Sequence, residues 1–188
     1  ILQSLNHEIG AGTFHPLTIL KSFCFTRWSI AYLQSCVRPL DGKSANNFNK
    51  MQHYFQFQVI IKPSLNNLKF KCLQSLNILG ISDKLYDIKF ICNDWENPTL
   101  GACGLGWEII CNGVEVIQFT YMQQIGGIDC RPVAGELTYG LERLALYIQG
   151  VDAVKDLDWN GQTGCKALTY ADIDFASERQ FSKFNLEV

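Results

Sequence analysis

The stretch VAGELTYGLERLALY, residues 133–147, carries charged and polar side chains inside an otherwise apolar pattern. In its first half, Glu136 and Thr138 alternate with apolar residues, which is the two-residue period of a β-strand. A carboxylate on such a face can hold an ammonium group. Gly140 points the same way and would allow a ligand to approach the backbone. These three residues therefore form a candidate binding face.

Apolar residues recur at helical spacing after Gly140, so we expect the strand to run directly into a helix. The positive end of the helix dipole favours Glu142 in the first turn. Arg143, in the same turn, gains nothing from that dipole and needs another partner. This partner is either a carboxylate of the chain, in an internal salt bridge, or an anionic ligand near the helix N-terminus.

Polar residues also interrupt the apolar stretch VEVIQFTYM, residues 114–122. Gln118 and Thr120 share one face of the expected strand, and Glu115, Phe119 and Tyr121 are expected on the other. Polar groups that are buried without partners cost free energy. The pattern therefore predicts a wet or ligand-lined face, although an edge strand would explain it nearly as well.

The stretch HYFQFQV, residues 53–59, alternates aromatic and polar side chains and is also expected to be a strand. His53, Phe55 and Phe57 share one face. This face either packs into the core or forms a flat platform for a purine ring, with an amide beside it to read the ring edge. Arg38 precedes the strand by one loop. It is either a surface arginine or a bidentate contact for a phosphate attached to the base.

Turn and cap residues predict the remaining elements. Asn112-Gly113 is a strong signal for a β-hairpin turn. Residues 64–80 predict a helix with Ser64 as its N-cap and Gly80 as its stop. A short helix is expected over 16–25, and further strands are expected over 30–37, 51–63 and 86–92. Antiparallel strands joined by hairpins, with helices segregated around them, predict an α+β fold, an antiparallel sheet flanked by helices.

Composition excludes several classes of protein. A chain of 188 residues with 47% hydrophobic content can bury a core of its own. Its net charge of −2 excludes a generally basic surface for nucleic acid.

The eight cysteines include no C-x-x-C pair, so we expect reduced thiols in a cytoplasmic protein. No apolar run reaches about 20 residues, so we expect no membrane span. The two ends of the sequence look incomplete, and we expect a fragment.

Five long stretches together resemble a known family. They are GAGTFHP (10–16), HYFQFQVIIKPS (53–64), DWENPTLGACGLGWE (94–108), EVIQFTYMQQIGGIDCRPVAGELTYGLERLALYIQGVD (115–152) and DLDWNG (156–161). They resemble the bacterial glycyl-tRNA synthetase alpha subunit over nearly all 188 residues. The resemblance implies a class II aminoacyl-tRNA synthetase catalytic core over residues 1–160, with the start of motif 1 missing. Residues 161–188 would then begin an incomplete C-terminal helical region.

The resemblance also implies roles for individual residues. His53 and Phe57 match the second half of motif 2, whose Phe stacks on adenine, and Arg38 matches the arginine that contacts the α-phosphate. Arg143 matches the motif 3 arginine that covers the other adenine face and reaches the γ-phosphate. The implied catalytic residues are Arg38 and Arg143. The implied ATP-binding residues are Arg38, His53, Phe57, Gln118, Glu142 and Arg143. The implied glycine-binding residues are Gln118, Thr120, Glu136 and Thr138.

The activity implied by the resemblance is a ligase reaction. Glycine is activated with ATP and Mg²⁺ to glycyl-adenylate, and glycine is then transferred to tRNA(Gly) with the help of a beta subunit. The implied partners are that beta subunit, a second alpha subunit within an α2β2 tetramer, and tRNA(Gly), with no membrane. The implied location is cytoplasmic. We expect no structural metal, and the sequence leaves any Mg²⁺ ligands unknown.

Some positions depart from the pattern that is usual in this family. The end of motif 1 usually reads QPYD, whereas this chain has QSLN, with Ser4 at the position of the Pro and Asn6 at that of the Asp. The motif 2 region has lost arginines at Val37, Lys43 and Lys50. Two acids are replaced by Cys92 and Asn93, and a Trp by Cys103. Losing an arginine removes a fixed cation and five donors. The alternative to an active enzyme is therefore a catalytically impaired remnant that retains the fold, with a nucleotide- or partner-binding role at most.

Overall fold

The protein is described by a computed structural model that covers residues 2–3, 7–43 and 49–187. Among these residues it has one seven-stranded sheet and four α-helices. The strands are β1 Leu2–Gln3, β2 Trp28–Val37, β3 His53–Lys62, β4 Ile88–Asn97, β5 Ala102–Cys111, β6 Val114–Ile125 and β7 Ile128–Gly140. The helices are α1 Pro16–Ser22, α2 Leu68–Ile78, α3 Leu141–Gln149 and α4 Tyr170–Glu187. The expectations about Ser4, Asn6 and the side chain of Lys43 lie outside the described residues.

The strands are arranged in the order β1-β2-β3-β7-β6-β5-β4. The short β1 runs parallel to β2, and all other neighbours are antiparallel. In the centre of the sheet, Gln58 lies opposite Thr138, and Thr138 lies opposite Gln118. Directly opposed residues share a face of a sheet. Polar side chains from three distant stretches of the chain therefore meet on one face, which we call the front face.

The opposite side, the rear face, carries the largest part of the core. Helix α2 buries Leu68, Cys72 and Leu76 against it, and α3 buries Leu144. On the front face, α1 covers one end of the sheet, where a second apolar cluster includes Ile30, Ile60, Met122, Ile125 and Ala134. The other end of the front face stays open. The fold is thus the α+β arrangement that the strand and hairpin signals predicted.

Most of the predicted elements are confirmed. The turn Asn112-Gly113 joins β5 to β6, and both residues have the positive φ angles, 45° and 86°, that a tight hairpin turn requires. The strand that ends at Gly140 continues directly into α3. Pro16 opens α1 as predicted, but the helix ends at Ser22 and not at Phe25.

The predicted start of α2 is wrong. This helix begins at Leu68, with Asn67 in the cap position, rather than after Ser64. The reason is that the backbone N–H of Ser64 donates to the carbonyl of Val133, 2.8 Å away. Ser64 is therefore held against β7 and is not free to cap a helix. At the other end the helix stops before Gly80, as predicted, and Gly80 has a φ of +83°.

The predicted position of Glu115 is also wrong. Strand β6 has a bulge at Val116, which is skipped between the paired positions Glu115 and Ile117. One extra residue reverses the alternation of side chains beyond it. Glu115 therefore lies on the front face with Gln118, and not on the rear face with Phe119.

The chain after α3 packs against the edge of the core. Its short turn Val154–Asp156 and the start of α4 pack with a small apolar cluster that contains Met51, Leu146, Val154 and Leu157. The division of the chain at residue 160 stays a prediction. Within the described part of the chain, no helix is long and apolar enough to cross a membrane. All eight cysteines lie in that part, and each is a free thiol.

Candidate active site

The open end of the front face forms a cavity of about 300 Å³ between β3, β6, β7 and the start of α3. Its basic lining residues are Arg38, Lys50 and Arg143. Its acidic lining residues are Asp41, Glu108, Glu115 and Glu142. Its uncharged polar lining residues include Asn49, Tyr54, Gln56, Gln118 and Thr138. This mixture suits a ligand that carries both anionic and cationic groups.

Arg38 stands at the end of β2, at the mouth of the cavity. Its Nε–H donates to the carbonyl of Gly10 at 2.6 Å, and its guanidinium carbon lies 5.3 Å from the centre of the Tyr54 ring. The Tyr54 hydroxyl donates to the same carbonyl at 3.2 Å. These contacts fix the plane of the guanidinium, whose fork matches the geometry of a phosphate.

Arg143 has the internal partner that was one of its two predicted alternatives. Its Nη1 donates to the backbone carbonyl of Glu115 at 2.8 Å and lies 3.2 Å from the Glu115 carboxylate. Both side chains line the cavity, and 34% and 37% of their surfaces are exposed. The salt bridge therefore holds the guanidinium over the cavity while leaving it accessible. The two alternatives do not exclude each other.

Glu142 joins α3 to β3. Only 7% of it is exposed, and its Oε1 accepts hydrogen bonds from the backbone N–H of Phe55 at 2.8 Å and from the Tyr170 hydroxyl at 3.3 Å. The β3–β7 ladder ends at the pair Gln56 and Gly140, so Glu142 takes the first N–H beyond it. Burial raises the pKa of this carboxyl, and the hydrogen bonds oppose that shift. Its predicted contact with ATP stays a prediction.

A buried polar network lies beside the cavity at the centre of the sheet. The Thr138 hydroxyl donates to Oε1 of Gln58 at 2.8 Å, and Nε2 of Gln58 donates to the Glu136 carboxylate. Gln58 is fully buried and Glu136 is 3% exposed. Burial raises the pKa of Glu136 to about 7, although hydrogen bonds from Thr13 and Gln58 oppose that shift. Gln58 thus sets the orientation of the carboxylate that the sequence singled out.

The segment 10–13 covers this network from the front. The backbone N–H of Gly12 donates to Gln56 at 2.9 Å, and its carbonyl accepts from the Tyr32 hydroxyl at 2.7 Å. A Cβ atom on Gly12 would lie only 2.5 Å from Oε1 of Gln58. Only a glycine lets this backbone approach the Gln58 amide so closely.

The four predicted glycine-binding residues occupy two front-face pairs of the β6–β7 ladder, with the rear-face pair Phe119 and Leu137 between them. Gln118 is opposite Thr138, and both line the cavity. Thr120 is opposite Glu136, and both are buried on the same face, at the next front-face pair along the ladder. The structure therefore brings these four residues together on one face. Alternation predicted the pairing within each strand, and the resemblance implied that the four residues share a site. Their contact with glycine stays a prediction.

His53 and Phe57 lie elsewhere. They are on the rear face of β3, where the His53 ring is 2.8 Å from the Ser35 hydroxyl and Phe57 packs against the core beside Tyr139. The strand alternation brings Tyr54 to the cavity instead. The structure thus does not bring these two predicted ATP contacts into the front cavity. Their role in nucleotide binding stays a prediction that this geometry does not support.

Sequence reasoning missed several residues of the site. Gln58, Thr13 and Gly12 form the network around Glu136, and Glu108 lines the cavity. The polar face of HYFQFQV is visible in the sequence, but the pattern of residue types indicates only the aromatic face as a possible ligand platform. The contribution of Thr13 and Gly12 depends on contacts with a strand far away in sequence, which no local pattern reveals.

Among the unusual positions that the structure describes, most lie away from the cavity. Val37 is on the rear-facing side of β2, so an arginine there would not point toward the cavity. Lys50 lines the cavity and lies 3.4 Å from the Asp41 carboxylate. The Asn93 amide donates to Glu108 at 2.6 Å, and the Cys103 thiol contacts Gln124. These changes leave a basic group at each side of the cavity.

A second cavity of about 330 Å³ lies on the rear face. It is lined mainly by apolar side chains, among them Leu33, Phe55 and Ala145, together with Glu142 and Asp158. Its described lining holds two carboxylates and no lysine or arginine, so it suits an anionic ligand poorly.

Carboxylate oxygens are suitable ligands for Mg²⁺, and the front cavity has them in Glu108, Glu115 and Glu142. Among the described residues, however, no group of three or more His, Cys, Asp or Glu side chains is close enough to hold a metal ion.

Comparison with known proteins decides the family. The sequence model of the glycyl-tRNA synthetase alpha subunit matches residues 1–188. The chain belongs to the glycyl-tRNA synthetase alpha subunit family. It is 63% identical over 188 residues to the glycine–tRNA ligase alpha subunit of Rickettsia canadensis and 62% identical over 187 residues to that of Rickettsia bellii. These relatives are longer than this chain, which spans 65% of their length.

The solved structures agree with this family at the level of the fold. The pyrrolysyl-tRNA synthetase of Desulfitobacterium hafniense superposes with a TM-score of 0.51 at 13% sequence identity. The match covers 78% of this glycyl-tRNA synthetase family chain and 50% of the other protein. The predicted fold, an antiparallel sheet flanked by helices, is thus confirmed.

Proposed function

We propose that the front cavity is the site where glycine and ATP react to form glycyl-adenylate. The observation that carries the proposal is the arrangement of charge along the cavity. Arginines stand over its open part, and a buried carboxylate held by Gln58 stands beside its inner wall. Glycine carries an ammonium and a carboxylate, and ATP carries three phosphates. The end of the cavity with the arginines is therefore complementary to ATP, and the end beside the buried carboxylate is complementary to glycine.

The chemistry of activation needs cations at the phosphates. A glycine carboxylate oxygen forms a bond to the α-phosphorus while the bond to the leaving pyrophosphate oxygen breaks, and negative charge accumulates on phosphate oxygens. Arg38 and Arg143 supply fixed positive charge there, together with the Mg²⁺ that accompanies ATP. The salt bridge to Glu115 holds Arg143 in place before the substrate arrives. Preorganisation of this kind lowers the barrier without requiring a group to move.

The inner part of the cavity suits a very small amino acid. Gln118 and Thr138 form its wall, and Glu136 behind them supplies the negative charge that an ammonium requires. The backbone of Gly12 presses against Gln58 and limits the space beside the network. A pocket of this shape excludes larger side chains by steric contact.

Transfer of glycine to tRNA(Gly) is part of the proposal but involves more than this chain. The relatives carry the name alpha subunit, which indicates a beta subunit as a partner. We propose that an alpha dimer assembles with beta subunits and acts on tRNA(Gly) in the cytoplasm. Neither the comparisons nor the described residues favour the alternative of an inactive remnant.

The direct test is glycine-dependent exchange of pyrophosphate into ATP. The full-length alpha chain, assembled with its beta subunit, should catalyse exchange with glycine and not with alanine. The 188-residue chain should be assayed beside it, with circular dichroism as the check on folding. Exchange at background level by a folded, assembled protein would overturn the proposal.

A further inference from the structure

The stem of the loop that carries Arg38 is held by helix α4. The backbone N–H of Arg38 donates to the carbonyl of Gln52 at 2.7 Å. The backbone N–H of Gln52 donates to one carboxylate oxygen of Glu178 at 3.0 Å, and the N–H of His53 donates to the other at 2.7 Å. Glu178 is thus two hydrogen bonds away from the backbone of Arg38.

These contacts sit at the end of the β2–β3 ladder. Val37 and His53 are the last pair of that ladder, and the loop of residues 38–52 begins directly beyond it. Hydrogen bonds from a backbone N–H to a carboxylate are charge-assisted and stronger than neutral ones. One carboxylate that accepts from two successive backbone groups therefore fixes both the position and the direction of the chain there.

Two neighbouring contacts hold the same limb of the loop. Met51 is 7% exposed and packs with Leu146 and Val154. The Asn49 amide donates to the carbonyl of Asp152 at 3.1 Å, and its oxygen accepts from the N–H of Val154 at 3.1 Å. The limb 49–53 is therefore held along its length by Leu146 of α3 and by residues that follow this helix in the sequence.

We propose that Glu178 is a positioning residue for the ATP end of the site. It acts through Gln52 on the backbone of Arg38, and so it couples the position of α4 to the binding of ATP. The proposal rests on the proposed function for its catalytic consequence. The glycine end has separate supports, since Glu136 is held by Gln58 and Thr13 and not by α4.

The test uses the full-length alpha chain assembled with its beta subunit. Glu178→Ala should raise the KM for ATP in pyrophosphate exchange about tenfold, with the KM for glycine changed by less than about twofold. Glu178→Gln keeps one acceptor oxygen and should cause a smaller rise. Gln180→Ala, an exposed change in the same helix, is the matched control and should change neither constant.

Two further readouts separate positioning from general destabilisation. Hydrogen exchange at the amides of Gln52 and His53 should accelerate in Glu178→Ala, with the amides of β7 unchanged. Adding Glu178→Ala to Arg38→Ala should weaken ATP binding, measured by equilibrium dialysis, no further than Arg38→Ala alone.

Equal rises in both KM values, an unchanged KM for ATP, or additive losses in the double variant would overturn the positioning role. An assembled wild-type protein without exchange activity would overturn the proposed function instead. In that case, amide exchange and ATP dialysis still decide the inference about Glu178.

Discussion

At the scale of single residues, the site depends on how one carboxylate is buried. Glu136 is almost fully enclosed, and its charge is supported by Thr13 and Gln58 rather than by a cation. Its pKa of about 7 means that the carboxyl exchanges its proton near neutral pH. A substrate ammonium would favour the ionised form, so glycine binding and deprotonation of Glu136 are linked.

This linkage predicts a pH dependence for glycine. The KM for glycine in pyrophosphate exchange should fall as pH rises through about 7, because the ionised carboxylate binds the ammonium. Glu136→Gln should raise this KM by about tenfold or more, since hydrogen bonds to charged groups contribute roughly 1.5–3 kcal/mol. The KM for ATP should change little.

Glu136→Gln should also change how the free energy of unfolding depends on pH, and this change is an independent check on the titration of Glu136. The folded pKa of Glu136 lies above its ordinary value of 4.5, so the folded state binds more protons between 4.5 and about 7. This contribution to the free energy of unfolding is present at low pH and is lost as pH rises through that window. Glu136→Gln should remove it in denaturant titrations. A pH-independent KM for glycine in the wild type would contradict the account.

Gly12 allows the most discriminating test of the network around Glu136. Gly12→Ala should displace the Gln58 amide, because the new Cβ would lie 2.5 Å from its oxygen, and the KM for glycine should rise. Gly10→Ala is the matched control, since its Cβ would have no neighbour within 4 Å. The measurement is the KM for glycine of both variants in pyrophosphate exchange under identical conditions. Equal effects of the two substitutions would show that the contact with Gln58 is unimportant.

At the scale of elements, the sheet register and one helix start determine the site. The opposition of β3, β7 and β6 brings Gln58, Thr138 and Gln118 together. The direct passage from β7 into α3 places Arg143 over the same cavity, and the bulge at Val116 turns Glu115 toward it. Alternation along β7 was readable in the sequence, whereas a bulge leaves no periodic signal before the pairing is known.

A substitution in the first turn of α3 is expected to change the KM for ATP separately from the KM for glycine. Nη1 of Arg143 makes both contacts with Glu115, one to the backbone carbonyl and one to the carboxylate. Arg143→Lys keeps the charge but loses the planar guanidinium that can bind a phosphate in a bidentate way. We expect the KM for ATP to rise about tenfold with the KM for glycine nearly unchanged. Arg131→Lys, in an exposed pair with Asp129 far from the cavity, is the control. A rise confined to glycine would place Arg143 at the wrong end of the site.

At the scale of the whole molecule, much of the fold was predictable and less of the site was. Strand alternation, the Asn112-Gly113 turn and the Gly80 stop are local signals, and the sheet and helices followed from them. The start of α2 was not predictable from local signals, because Ser64 is held by a hydrogen bond to Val133 of the neighbouring strand β7. The residue patterns and the resemblance both singled out Arg38 and Arg143. The resemblance also implied that Phe57 stacks on adenine, whereas the structure places Phe57 on the rear face.

The measurement that tests the central claim most directly is a crystal structure of the protein with a non-hydrolysable glycyl-adenylate analogue, glycyl-sulfamoyl adenosine. We expect the analogue in the front cavity, with its ammonium beside Gln118 and Glu136 and its sulfamoyl group beside Arg38. Binding in the rear cavity, or with the ammonium turned toward Arg143, would contradict the account.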